Sequence, residues 1–247
     1  MAENCKRLKK LADDESLTET PRCINKGVNL SSWDIAELRR EHTERVLKEK
    51  KLMLILDLDN TLLHSTNSSN FSSEDQHLMQ LMGSLEGKRD RSIFRWKDMV
   101  IKLRPNARAF LKEASNMYDM YIYTMGTREY ATQMAEFLDP EGVYFKNKIL
   151  SREDCTTAKQ KGLDVVLGEE RAIVILDDTR SVWGRHISNQ IEIPRYYFFG
   201  PRRPVRCSAL DVSLEILRRI HCIFFGLAYY ADFSCSDVRR ILLLKKF

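Results

Sequence analysis

The sequence has six cysteines but no C-x-x-C pair. Cys5, Cys23, Cys155, Cys207, Cys222 and Cys235 are scattered, which fits neither a structural zinc site nor a dense disulfide framework. They read as reduced thiols of an intracellular protein. Only 10 glycines and 6 prolines occur in 247 residues, which excludes a low-complexity chain. No apolar run approaches the ~20 residues that cross a bilayer. The longest, around Ile220 to Tyr230, is interrupted by His221 and Gly226. The opening MAENCKRLKKLADDESL lacks an apolar h-region, so no secretory signal is expected. Charge of one sign is scarce too: 40 Lys plus Arg against 35 Asp plus Glu gives +5, too mild to require a polyanion. No direct nucleic-acid partner and no membrane partner are expected. The basic segments KRLKK (6–10) and RRPVR (202–206) read as solvated charge at least as readily as import or phosphopeptide-contact signals.

What is present is enough apolar residue, 43%, for a sizeable core. Residues 1–28 are polar and without periodicity, and are expected to form a mobile arm. A helical pattern begins at Ser31 or Ser32, either of which suits an N-cap. It leads to LMLIL (52–56), five apolar residues bounded by charge, the signature of a strand buried on both faces. The Ser/Asn-rich STNSSNFSSEDQH (65–77) reads as a surface loop, and 78–97 carries no single period. Strands are predicted at MVIKLRP (99–105), YDMYIYT (118–124), RAIVILDD (171–178) and RYYFF (195–199). Helices are predicted at 106–117, 128–138 and 208–225. Strand alternating with helix predicts an α/β domain with a mainly parallel central sheet flanked by helices.

In such sheets ligands bind beyond the carboxyl ends of the strands. Three apolar runs end in reactive groups: 52–56 at Asp57 and Asp59, 120–123 at Thr124, and 172–176 at Asp177 and Asp178. If these strands are parallel neighbours, the groups meet at one edge. Residues two apart in extended backbone share a side, so Asp57 and Asp59 can face one pocket. A cluster of carboxylates without His or Cys suits Mg2+, and without a cation it would be self-repelling. A carboxylate also serves as a nucleophile that forms an aspartyl-phosphate. Asp57 suits that role, and Asp59 suits protonation of the leaving oxygen followed by activation of water. Thr124 can donate to a phosphoryl oxygen. A lysine would balance charge; Lys161 is the candidate and Lys159 its competitor on spacing alone. Each feature alone has a plain reading: a strand-end turn, a helix cap, a solvated lysine. Trp183 reads as packed rather than ligand-binding. The conjunction of all of them carries the argument.

DLDNT at 57–61 resembles the D-x-D-x-T signature of the haloacid dehalogenase superfamily, and Thr124, Lys161 and Asp177–Asp178 resemble its later motifs. LRREHTERVLKEKKLMLILDLDNTLLHS, IKLRPNARAFLKEAS, YDMYIYTMGTREYATQMAEFLDPEG, FKNKILSRED and VILDDTRSVW are similar to the TFIIF-associating RNA polymerase II C-terminal-domain (CTD) phosphatases, in particular the CTD phosphatase-like branch. The resemblance implies a Rossmann-like haloacid dehalogenase fold with an insertion after the first strand. It implies a catalytic domain over 29–225 with 65–97 as loop and insertion, and a helical extension over 226–247 that holds no BRCT domain. It further implies Asp57 as nucleophile and metal ligand, and Asp59 as general acid/base and a ligand through its backbone carbonyl. Asp178 is the remaining ligand, Thr124 and Lys161 bind phosphate, and Thr61 and Asp177 support the site. Mg2+ is the implied cofactor. The phosphorylated polymerase tail is the implied substrate, with general transcription factors as further partners and the nucleus as location. The motif after Asp178 departs from the family's usual Arg and Asp, reading Thr179, Arg180, Ser181.

Other readings are a small-metabolite phosphatase of the same superfamily, a phosphoacceptor receiver domain and a divergent inactive phosphopeptide-binding copy. A receiver carries its acidic pair on the first strand and its acceptor Asp later, the reverse of the order here.

Overall fold

The computed structural model describes residues 31–84, 92–200, 209–230 and 236–244. The expected arm 1–28, both basic segments and Cys5, Cys23, Cys207 and Cys235 lie outside those residues. Helix α1 (Ser32–Lys48) opens on a capping box: the Ser31 side chain accepts from Asp34 N–H, and the Asp34 carboxylate reaches back to Ser31 N–H. α1 delivers the chain to β1 (Leu52–Leu56), every residue of which is buried.

The alternation of β1 divides two cores. Leu52, Leu54 and Leu56 face one apolar cluster, and Met53 and Ile55 face the other. Full burial of such side chains stabilises by about 1.5–3 kcal/mol each. β1 is flanked by β5 (Tyr118–Tyr123) and β7 (Ile173–Asp177), both parallel to it, so that Leu54 lies opposite Met120 and Val174. β6 (Ile149–Leu150) and β8 (Gln190–Glu192) complete the parallel sheet in the order β6-β5-β1-β7-β8. The chain leaves β1 towards β5 on one side and returns to β7 on the other. That reversal opens a crevice at the carboxyl end of β1.

In sequence, the chain between β1 and β5 builds a second sheet, antiparallel, from β2 (Leu63–Asn67), β3 (Ile93–Trp96) and β4 (Met99–Leu103) in the order β2-β4-β3. The loop expected at 65–77 is therefore corrected. Its first residues complete β2, paired with β4 from Leu63–Leu103 to Asn67–Met99, and its end enters α2 (Ser73–Ser84). Tertiary pairing overrides the polar composition of this stretch. The strand expected at RYYFF (195–199) is likewise not formed. Tyr196 N–H donates to Asn60 O, while Phe198 and Phe199 N–H both converge on His64 Nδ1, so the segment has isolated anchors and no ladder.

Helices α3 (Ala107–Ala114) and α4 (Arg128–Leu138) cover one face of the central sheet. α5 (Ala209–Tyr230) joins them through Leu217, Ile220 and Phe224. α5 runs through Phe225 and Gly226, so the division expected between 225 and 226 falls inside one helix. α6 (Val238–Leu243), capped by Asp237, buries Val238 and Ile241 in the same core. No described helix is long and apolar enough to cross a membrane.

Phe224 is fully buried and Leu227, one turn on, is 52% exposed. Phe224→Ala is expected to cost about 3–5 kcal/mol in urea denaturation, and Leu227→Ala no more than about 0.5 kcal/mol. Equal small effects would show that α5 is not part of the core.

Candidate active site

The adjacent strands β1, β5 and β7 bring Asp57, Thr124 and the Asp177–Asp178 pair to one edge of the sheet. Lys161 enters between short 3-10 turns, its N–H donating to Val182 O at 2.8 Å. Arg39 of α1 steadies the segment that follows, donating to the carbonyls of Leu163, Asp164 and Val166. Lys161 is 3% exposed, whereas Lys159 points to solvent from a left-handed backbone. The lysine at the site is therefore Lys161.

Its Nζ donates to Asp57 Oδ1 at 2.5 Å and to Asp177 Oδ2 at 2.6 Å. Burial pushes the Asp57 carboxyl up to about 8, with Lys161 opposing and Asp177 and Asp59 adding to the rise. Burial alone would lower Lys161, but Asp57 and Asp177 outweigh it and raise its pKa. An ion pair ordinarily lowers its acid. Here burial lifts Asp57 above that effect, while the two acids on Lys161 lift the lysine. Among the described residues, the carboxylates of Asp57, Asp59, Asp177 and Asp178 stand against two cationic partners, Lys161 and Arg195.

Asp57, Asp177 and Asp178 each offer an oxygen within 4.8 Å of the others, a buried set of hard donors that fits a divalent cation. Within that set Asp177 is the most committed. Its Oδ2 accepts from Lys161 and from Trp183 Nε1 at 2.9 Å, and its Oδ1 accepts from Thr179 N–H at 2.8 Å. Asp57 is the freer ligand, its described side-chain partner being Lys161 on Oδ1. Thr61, fully buried, accepts from Asp178 N–H at 3.2 Å and donates to Asp178 Oδ1 at 3.3 Å, tying the turn after β1 to the end of β7.

Asp59 lies outside that trio. Its Oδ1 accepts from Tyr130 Oη at 2.6 Å and Ser65 Oγ at 2.8 Å, so its carboxylate is held by α4 and β2. The turn after β1 separates two acids that an extended strand would have kept together. Asn60 makes this turn, with φ at 62°, where asparagine is among the few tolerated side chains. Its Nδ2 donates to Tyr196 O at 2.8 Å. Arg104, buried, adds donations to Thr61 O at 3.0 Å and Pro194 O at 2.8 Å, fastening the turn to the 194–199 segment. Thr124 is 1% exposed; its Oγ1 accepts from Gly126 N–H at 3.0 Å, which leaves its hydroxyl proton for a ligand. A Cβ on Gly126 would lie 2.5 Å from the Tyr130 ring, so glycine permits that close approach.

Sequence reasoning placed every acid, the threonine and the lysine at this edge. It missed Tyr130, Ser65 and Arg195, and gave Asn60 no role. Trp183 is packed as expected, at 1% exposure, yet it also donates to Asp177.

A D-x-D-x-T turn on the central strand, with a lysine and an acidic pair from beside it, is the arrangement that the resemblance to haloacid dehalogenase-type phosphatases led us to expect. The chain belongs to the NLI interacting factor-like phosphatase family, whose model matches residues 52–221. The RNA polymerase II C-terminal domain phosphatase-like 4 of Arabidopsis thaliana is 40% identical over 243 residues, covering 90% of this chain and 55% of that protein. A C-terminal domain phosphatase of RNA polymerase II from Encephalitozoon cuniculi is 34% identical, covering 70% of this chain and 39% of its own length. The chain thus spans about half or less of these relatives. The solved structure of Fcp1, an essential RNA polymerase II CTD phosphatase, superposes with a TM-score of 0.69 at 23% identity, over 83% of this chain and 73% of that one. That likeness establishes the shared fold.

The raised Asp57 fixes a sign. An unfolded aspartate titrates near ~3.9, so between about 4 and 8 the folded, cation-free protein holds a proton that the unfolded chain has lost. Stability is therefore greatest at low pH within this window and falls as pH rises through it. Urea denaturation in chelator from pH 5 to 8 should show that decline in wild type and a flatter profile in Asp57→Asn. Stability that instead rises with pH, with the same profile in both proteins, would contradict it.

Proposed function

We propose that the chain is a Mg2+-dependent protein serine phosphatase acting through an aspartyl-phosphate on Asp57. Its proposed substrate is the phosphorylated C-terminal tail of RNA polymerase II, its proposed location the nucleus, and general transcription factors are proposed as further partners. The observation that carries the reading is the buried Lys161, held between Asp57 and Asp177 at the carboxyl edge of three parallel strands. The substrate rests on the relatives, whose names place them among RNA polymerase II C-terminal-domain phosphatases.

In the first step an Asp57 oxygen attacks phosphorus and the bond from phosphorus to the serine oxygen breaks. Asp59 gives that oxygen a proton. Both described hydrogen bonds to Asp59 fall on Oδ1, so Oδ2 is the oxygen that carries the proton. In the second step Asp59 takes a proton from water as the water oxygen attacks phosphorus, and the Asp57 carboxylate leaves. Thr124 donates its hydroxyl proton to a phosphoryl oxygen, and the Lys161 ammonium offsets charge as it accumulates there. Asp57 and Asp178, with the Asp59 carbonyl, are the groups that would hold Mg2+, which when bound supplies positive charge against phosphate and carboxylates.

Asp57→Asn is expected to lower turnover of a phosphoserine heptad peptide by about a thousandfold or more. Chelator should abolish wild-type turnover and Mg2+ restore it. Turnover that persists in Asp57→Asn or in chelator sinks the mechanism. Faster turnover of sugar phosphates than of phosphopeptides sinks the substrate assignment.

A further inference from the structure

Asp178 is held by a closed ring of three contacts, two hydrogen bonds and an ion pair. Arg195 Nε lies 2.7 Å from Asp178 Oδ2, an ion pair. Thr179 Oγ1 donates to the same oxygen at 2.9 Å, and Arg195 Nη2 donates to Thr179 Oγ1 at 2.9 Å. Among the described residues the other carboxylate oxygen, Oδ1, receives only the Thr61 hydroxyl, at 3.3 Å, long for a bond between two oxygens. One oxygen is saturated and its twin is loosely held. The side chain of Arg195 is 50% exposed and that of Asp178 6%, so the ring forms the rim over a buried ligand.

We propose that Thr179 and Arg195 are positioning residues: by saturating Asp178 Oδ2 they fix the rotation of the carboxylate and present Oδ1 to the divalent cation. This rests on the cation reading given under Proposed function. Carboxylates that bind metals are themselves held by hydrogen bonds, and loss of such a partner typically costs 10–100-fold in metal affinity. Only a guanidinium can span both acceptors with its fixed fork, so lysine at 195 would keep the charge and lose the ring.

Two simpler roles predict different outcomes. An exposed ion pair of ordinary kind contributes little, so its loss would leave cation binding unchanged. A positive charge that merely repels the cation would, on removal, tighten binding. The clamp predicts weaker binding when positive charge is removed, a sign that neither alternative produces.

The test is calorimetric titration of Mg2+ alone, without substrate, into wild type, Arg195→Ala, Arg195→Lys, Thr179→Val and the Arg195→Ala/Thr179→Val double variant. Arg180→Ala serves as the charge control, since Arg180 is equally exposed and pairs with Glu192 at 3.7 Å. Arg195→Ala and Thr179→Val should each raise the Kd about tenfold or more. The double variant should be little weaker than either single one, because both break one ring. Arg195→Lys should remain weaker than wild type, and Arg180→Ala should stay within about twofold. Thermal unfolding in chelator checks that each variant is folded. Wild type that binds Mg2+ while folded Arg195→Ala and Thr179→Val bind it equally or more tightly overturns the clamp alone. Wild type that binds no Mg2+ overturns the cation reading, and the clamp with it.

Discussion

The Lys161 ammonium between Asp57 and Asp177 is the interaction on which the site depends. A lysine buried without partners, or acids packed without a counter-charge, would each be strongly unfavourable. Together they form an arrangement that neither could hold alone. The packing enforces it. Nζ lies 5.4 Å from the Trp183 ring and 5.9 Å from the Tyr123 ring, so the aromatic core on one face of the sheet also forms the wall of the charged site. Trp183 contributes twice, by placing its ring under the Lys161 ammonium and by donating to Asp177, which holds it. Among the described residues the acids still exceed their cationic partners, and that imbalance is the physical reason for proposing a divalent cation at this edge.

The sheet imposes the second constraint. Because β1 is central and parallel to both neighbours, the residues just past its last buried leucine meet the ends of β5 and β7. Asp57 stays close to the strand, its N–H donating to Leu176 O at 3.1 Å, and turns inward to Lys161. After Leu58 the chain bends through Asn60, and Asp59 is directed to Tyr130 and Ser65. The one-residue spacing of the two acids thus acquires its meaning from the turn. One carboxylate is buried and cationically paired. The other is held by hydroxyl donors, and is the acid proposed to move the proton.

Much of this was legible in the sequence, for identifiable reasons. LMLIL, YDMYIY and the run ending at Asp177 are strands because unbroken apolar runs of that length satisfy burial on both faces. α4 matches its periodic pattern from Arg128 to Leu138. The site acids and Lys161 were legible because strand ends in such sheets converge. What escaped was set by partners distant in sequence. Residues 65–67 form β2 because β4 lies alongside, and RYYFF has strand composition but forms no ladder with the described strands. Arg195 and Tyr130 approach the acids from other elements, at separations that no local pattern encodes. Asn60 carries a positive φ that reads, in sequence, as an ordinary polar residue.

The most direct test of the account is the location of the phosphoryl group in mid-reaction. A phosphoserine heptad peptide labelled in its phosphate, mixed with the protein and Mg2+ and quenched in acid, should leave label on the proteolytic fragment that contains Asp57. Borohydride reduction should convert that residue to homoserine, and Asp57→Asn should carry no label. Rapid turnover with no label at Asp57, or label at another residue, would contradict the account.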